Sequence, residues 1–524
     1  MQNQEFMEVD MLVKIIMLIA FFAVMIVVGL LCRKQARDVK GFVLGGRNVG
    51  PWLSAFAFGT SYFSAVIFVG YAGQFGWKFG LASTWVGLGN AFIGSLLAWT
   101  ILGRRTRIMT QHLKSATMPQ FFESRFNSKA LKLISSIIIF VFLIPYTASL
   151  YNGLSRLFGM GFNVDYTVCI AVMAVLTAVY VIAGGYMATA INDFIQGMIM
   201  LVGIVAIIAS VLKINGGFLG SVNALALVSD PSVSNTPGVF ASFFGPDPFS
   251  LLCVVILTSL GTWGLPQMVQ KFYAIKSEND IHKGTVISTV FAIVVAGGCY
   301  FLGGFGRLFD VNVASEGFDA IIPAMLAKLS PAVFGVALVL VLSASMSTLS
   351  SLVLASSSTL TLDFIDPVFM GNKRDEKKNL PIIRIFIAVF ILISAVIAIV
   401  QYKKNVTFIA QLMGLSWGAL AGSFLAPFLY SLYWKRTTKA SCIACFIWGS
   451  VLMLANMFFK SSFPAVLQSP INCGAFAMLG GMVIVPIVSA LTKAPSKEDV
   501  DNVFSCYDKK VLAPITDVLS SEEA

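Results

Sequence analysis

One carboxylate in this chain lies where a carboxylate is expensive. Asp193 falls within GGYMATAINDFIQGMIM, the segment from Gly184 to Met200, at the mouth of a long apolar helix with Gln196 on the turn beside it. A membrane-embedded charge costs about 2.5 to 3.5 kcal/mol at a helix centre and less towards an end, so it calls for an ion, a partner or water. A second concentration of polar chemistry is the hydroxyl run from Ser343 to Thr359, which holds ten Ser or Thr residues. Ser347 and Ser351 are four apart and share a helical face, with Thr348 beside them, so hydroxyl oxygens project from consecutive turns. Any single hydroxyl can bond back to a carbonyl one turn earlier, but ten exceed what packing asks for. Oxygen donors without sulfur or imidazole favour a hard ion, which suits sodium.

Two further segments break the apolar pattern. FAFGTSYFSAVIFVGYAG, residues 56–73, sets Gly59, Thr60, Ser61 and Ser64 in the middle of an apolar run. Such residues let a membrane helix unwind, and carbonyls freed at a break can coordinate a cation. Close helix packing through small residues is the competing explanation. In TSLGTWGLPQMVQKF, Gly261, Gly264 and Pro266 interrupt a helix around Trp263, because proline removes a donor and crowds the turn before it. Trp263 faces either a substrate or the lipid.

The elements that must position these residues are membrane helices. The chain has 524 residues, 57% hydrophobic and only 12% charged, with a mean hydropathy of +0.85. A soluble domain carries about 25% charged residues. Runs of about 20 apolar residues, the length that crosses a hydrocarbon core, recur along the chain. The pattern predicts an all-α integral membrane protein with about thirteen transmembrane helices, near 10–32, 50–74, 80–102, 131–156, 165–184, 190–212, 249–270, 286–306, 332–361, 382–401, 406–431, 440–459 and 471–491. A short helix is expected near 219–227 in the connection from Lys213 to Pro248.

The net charge of +11 is topological in origin. Arg33, Lys34, Arg37, Lys40 and Arg47 follow the first span, and Arg104, Arg105, Arg107, Lys114, Arg125, Lys129 and Lys132 follow the third. Lys271, Lys276 and Lys283 are read as following the seventh, Lys373, Arg374, Lys377 and Lys378 the ninth, and Lys435, Arg436 and Lys439 the eleventh. By the positive-inside rule these loops are cytoplasmic, with the acidic N-terminus (Glu5, Glu8, Asp10) outside and the C-terminus inside. Lys403 and Lys404 are the exception to the alternation. A nucleic-acid partner is not expected. The leading apolar run is too long for a cleaved signal peptide and stays as a span.

Enzyme chemistry finds little support. The two histidines, His112 and His282, lie in basic loops without His or Cys partners, and no GxxxxGK[ST] loop occurs. The eight cysteines form no paired framework, and the Cys442/Cys445 pair at the start of a span reads as helix packing. An intramembrane acyltransferase and a transporter-like sensor are the other classes, the first short of histidine and clustered acids, the second without a signalling domain.

GGYMATAINDFIQGMIM, the MSTLSS run at 346–351 and YWKRTTKA at 433–440 resemble the sodium:solute symporter family. The resemblance extends over nearly all spans and implies a five-plus-five inverted-repeat (LeuT-like) core with broken helices. Its organisation would be an extracytoplasmic N-terminus and first helix (1–32), a first repeat (50–212), a second (249–431), two further helices (440–491) and a cytoplasmic tail (492–524). It implies a first sodium site at Thr60, Phe63, Ala344, Ser347 and Thr348, and a second at Asp193, Ser350 and Ser351. Where the proline symporters carry an aspartate in the first core helix, this chain has Tyr62.

The expectation is therefore a sodium-coupled symporter of the cell membrane, importing a small organic solute by alternating access. An amino acid such as proline comes first, with sugars and organic acids behind it. Tyr62, Tyr71, Tyr146 and Trp263 are candidate substrate contacts. No cofactor is expected beyond Na+ as coupling ion, and the chain is expected to work as a monomer. The alternative is a proton-coupled carrier of the same fold in which Asp193 titrates.

Overall fold

The computed structural model describes residues 2–162, 165–371, 376–404 and 409–508. Lys373, Arg374, the side chain of Lys377 and the tail beyond residue 508 lie outside the described residues. Every regular element among them is helical, and the extended pairings reduce to two isolated bridges, Val49 with Ile275 and Asp230 with Ser234.

Among the described residues, ten helices are long and apolar enough to cross a membrane, or eleven with the bent pair Pro248–Trp263 and Pro266–Ala274 counted as one. Two of the ten, Val66–His112 and Tyr166–Ile214, have 47 and 49 residues. At 1.5 Å per residue the longer would reach about 73 Å if straight, more than twice a hydrocarbon core. Each turns at a glycine instead. Gly80 has φ 62° and ψ −140°, and Gly185 has φ 56° and ψ −150°, conformations closed to side-chain-bearing residues. Dividing both there brings eleven spans to the expected thirteen. A hydropathy window registers a break only where polar residues cluster, so it divides this chain in the right places without seeing the glycine turns. The short helix expected near 219–227 is present as Gly217–Ala226.

Two helices break part-way along their length. The first runs Pro51–Tyr62, with proline at its first turn, where a missing N–H costs nothing. Phe63 leaves the helical region (φ −98°, ψ 83°), and the chain resumes in wide turns over Val66–Tyr71 and then as Ala72–Phe79. The second runs Pro248–Leu260, tightens over Gly261–Trp263, extends at Leu265 and restarts as Pro266–Ala274, bent by 41°. Pro266 starts the second half rather than kinking a continuous helix. Two glycines let this break approach the Ile409–Tyr433 helix: a Cβ on Gly261 would come within 2.6 Å of the Trp417 ring, and one on Gly264 within 2.6 Å of the Leu425 backbone N.

Burial separates the core from the lipid-facing shell. Almost all residues of the Gln411–Tyr433 span and most of those of Pro331–Phe369 are buried, whereas few of those of Ile15–Lys34 are. The hydroxyl-rich helix Pro331–Thr359 thus stands in the centre, which explains an apolar character all round its circumference. Three cations read as loop charges are interior. Arg125 donates to the Ser431 carbonyl, Lys132 pairs with Glu123 at 2.9 Å, and Lys271, on the half-helix Pro266–Ala274, is 2% exposed. Lys271 therefore belongs to the broken seventh span and not to the loop after it.

Gly264→Ala should destabilise the protein by about 1 to 3 kcal/mol, because the atom it meets is backbone that cannot rotate away. Gly297→Ala, where an added Cβ meets nothing within 4 Å, is the control. Thermal unfolding of both variants in detergent checks this; equal unfolding temperatures would refute the close-approach argument.

Candidate functional site

A helix that stops at Tyr62 leaves its last carbonyls without intrahelical N–H partners. The Thr60 carbonyl lies 3.2 Å from Ser347 Oγ and 3.1 Å from Thr348 Oγ1, and the Ser61 carbonyl 3.4 Å from Thr348 Oγ1, while the shortest contact of Ser347 Oγ is the Ser343 carbonyl of its own helix at 2.9 Å. Both hydroxyls also lie within reach of the Ala344 carbonyl, at 3.2 and 3.1 Å. The structure thus brings Thr60, Ala344, Ser347 and Thr348 into one buried cluster of oxygens, with Phe63 at the break beside it. Thr60 contributes its carbonyl rather than its hydroxyl, which donates to Phe56 at 2.8 Å. Half-helix C-termini carry partial negative charge, so the cluster is polarised to receive a cation.

The aromatic candidates divide. Tyr62 stacks on Phe63 at 4.3 Å, and its hydroxyl donates to the Thr258 carbonyl at 2.6 Å, joining the first broken helix to the second. It acts as a strut between the two. The indole N–H of Trp263 donates to the Ile93 carbonyl at 3.1 Å, and Tyr71 packs edge-on against Phe75. Tyr146 differs. Its ring meets Trp417 edge-on at 5.9 Å with Ser64 as a further neighbour, and the Tyr146 hydroxyl, Trp417 Nε1 and Ser64 Oγ are buried without a completed hydrogen bond. Convergent buried polar atoms of this kind need a partner. Trp417 escaped the sequence reading because a tryptophan inside an apolar run has no signal that separates a lining residue from packing.

Asp193 is fully buried. Its Oδ2 lies 3.6 Å from Lys271 Nζ, and neither carboxylate oxygen has a hydrogen-bond partner among the described residues. Lys271 Nζ donates to Ser351 Oγ at 2.9 Å, and Ser351 shares a 2.8 Å hydrogen bond with Ser61 Oγ. Ser350 donates to the Ser347 carbonyl at 2.9 Å. Asp193, Ser351 and Ser61 are therefore connected through Lys271, a residue whose type alone marked it as a loop cation.

Two arginines tie the ends of the broken helices to neighbouring segments. At one, Arg47 donates to the carbonyls of Tyr273, Thr110 and Ser115, and a cavity of about 430 Å³ lies among Lys40, Arg47, Lys114, Gln120, Lys132 and Asp366. At the other, Arg307 pairs with Asp230 at 3.0 Å and donates to the Trp77 carbonyl. Hydrogen bonds from Ser232 and then Arg307 hold the Asp230 carboxyl below the usual carboxylate range.

A multi-pass helical protein whose two broken helices meet at an oxygen-lined interior is, by fold and site, a membrane transporter. A family profile described as the sodium:solute symporter family matches residues 42–449. The chain belongs to the sodium:solute symporter family and is a sodium-coupled symporter of a small solute. Sodium/proline symporters of Staphylococcus aureus strains JH9 and NCTC 8325 / PS 47 are 29% identical to it over 496 residues, 92% of this chain and 93% of theirs. A substrate-bound, outward-open structure of a Na+-coupled sialic acid symporter shares its fold with a TM-score of 0.73, over 92% of this chain and 98% of that one, at 16% identity.

Removing the Tyr62 hydroxyl takes away the bond between the two breaks and little else. Tyr62→Phe should cost about 1 kcal/mol, the net worth of one hydrogen bond. A lowered unfolding temperature in detergent is the expected result; an unchanged one would mean that the strut carries no weight.

Proposed function

We propose that the coupling sodium binds where the Thr60 carbonyl meets the Ser347 and Thr348 hydroxyls, with the carbonyls of Ala344 and Phe63 completing the shell. The observation that carries this reading is that two hydroxyls of one buried helix lie within 3.2 Å of a single carbonyl at the break of another. Sodium would replace those hydrogen bonds with ion–oxygen contacts and hold the first broken helix against the hydroxyl-rich one. Solute affinity then rises because the shape completed by the ion is the one the solute binds, a differential affinity between states. The solute would lie beside Tyr146, Trp417 and Ser64. The sodium/proline symporters among the relatives make proline and similar small amino acids the first class to test, ahead of sugars and organic acids, although Tyr62 stands in the aspartate position.

The same reading assigns residues 50–212 and 249–431 to two inverted repeats, each opening with a broken helix. The chain would act as a monomer in the cell membrane, with its N-terminus outside and C-terminus in the cytoplasm. Exposed basic residues such as Lys283 and Lys435 support that orientation.

Sodium-gradient-driven uptake of labelled proline into proteoliposomes, beside a panel of sugars and organic acids, tests the solute class. On the solute so identified, Ser347→Ala and Thr348→Ala should each raise the sodium concentration for half-maximal uptake about tenfold, the effect of losing roughly 1.4 kcal/mol of ion binding. Ser345→Ala, whose hydroxyl bonds back to Val341 on the same helix, should leave it unchanged. Normal sodium dependence in both site variants would remove this helix from the ion site, and uptake driven by a pH gradient alone would replace sodium by protons.

Orientation has its own test. A cysteine at the exposed Asn235 should react with an impermeant thiol reagent in intact cells, and one at the exposed Lys283 should be protected. The opposite labelling pattern would invert the topology.

A further inference from the structure

The group formed by Asp193, Lys271, Ser351 and Ser61 draws one residue from each of four separate helices, and its single cation is covalently part of the chain. Lys271 leaves the second broken helix one turn before its end, on a half-helix whose residues are all buried. Its ammonium has Asp193 Oδ2 at 3.6 Å, Ser351 Oγ at 2.9 Å and the Tyr186 ring centroid at 5.2 Å. A carboxylate, a hydroxyl and an aromatic face form a shell for one monovalent cation.

Asp193, Ser350 and Ser351 are the residues that resemblance to the family marks for a second sodium. In this chain two of them, Asp193 and Ser351, already hold a positive charge. Two unit charges in one buried shell repel strongly, because the interior screens them poorly. Removing the ammonium would in turn leave the Asp193 carboxylate buried and uncompensated, since no donor among the described residues bonds to either oxygen.

We propose that Lys271 is a tethered cation standing where a second sodium would bind, so that this transporter binds one sodium per cycle, at the Thr60, Ser347 and Thr348 cluster alone. The hydroxyl pair Ser351–Ser61 links the ammonium to that cluster, because the Ser61 carbonyl is one of the oxygens the Thr348 hydroxyl reaches. Lys271 therefore supplies permanently the helix-joining contact that a second ion would supply only when bound. The inference rests on the sodium reading given above and adds the stoichiometry to it.

The test measures 22Na+ bound per chain on the purified full-length protein without solute, so it does not depend on knowing the solute. Wild type should bind one ion. Lys271→Gln should bind two, the second through the freed Asp193 and Ser351, and Asp193→Asn combined with Lys271→Gln should return to one. Two ions on wild type, or one on a well-folded Lys271→Gln, would overturn the proposal. If Lys271→Gln unfolds in choline chloride, recovery of a monodisperse protein in sodium chloride of equal concentration is the expected result, since sodium then replaces the ammonium. Failure of sodium to rescue it would count against the proposal as firmly as a single bound ion. No sodium on wild type at all would instead refute the sodium site at the break, a distinguishable result.

Discussion

A helix cannot break inside a bilayer unless the carbonyls it frees are met by something else, because hydrocarbon offers no partner. In this protein the Thr60 carbonyl is met by two hydroxyls from another helix. Much of the architecture follows from that requirement. The hydroxyl-rich helix must be central, it must keep Ser347 and Thr348 on the face towards the break, and the break must fall where those two residues reach. Small residues elsewhere allow the approach: a Cβ at Gly197 would stand 2.3 Å from the Phe56 ring and 3.0 Å from the Thr60 methyl. The second break is held by different means, with Tyr62 reaching Thr258, Thr262 reaching the Gly94 carbonyl, and the Ile409–Tyr433 helix pressed against Gly261 and Gly264.

Buried charge imposes the other constraint. Asp193 and Lys271 each lie in an interior that would tolerate neither alone, so the Pro266–Ala274 half-helix and the Tyr166–Ile214 helix are bound to one relative position while the pair is intact. The positive-φ turn at Gly185 redirects the chain eight residues before Asp193 and so sets where the carboxylate enters this pair.

What the sequence disclosed depended on whether a feature announced itself by composition. The membrane class, the span order and the hydroxyl run were legible because each departs from ordinary usage over many residues. Both breaks were legible because Gly, Ser and Pro interrupt apolar runs. Lys271 was misread for a definite reason: a hydropathy reading ends a span at the first cation after an apolar stretch, and here the span continues past it, neutralised by a carboxylate 78 positions earlier. Tyr62 stood out as a departure from the proline symporters, but its bond to Thr258 joins positions almost two hundred residues apart, and no local pattern encodes that. Ser350 and Ser351 are equivalent in a sequence run, yet one bonds back to its own helix and the other accepts from Lys271.

The Asp193–Lys271 pair also has an electrical consequence. Whichever of the two carries the proton between them, their charges sum to zero, so the interior that turns over without cargo contains no net charge from this pair. The field across a membrane does work only on charge that moves through it, about 2.3 kcal/mol per elementary charge per 100 mV. In a carrier built this way the field does no net work on the pair as the helices rearrange, so any voltage dependence of the cycle enters through other charges.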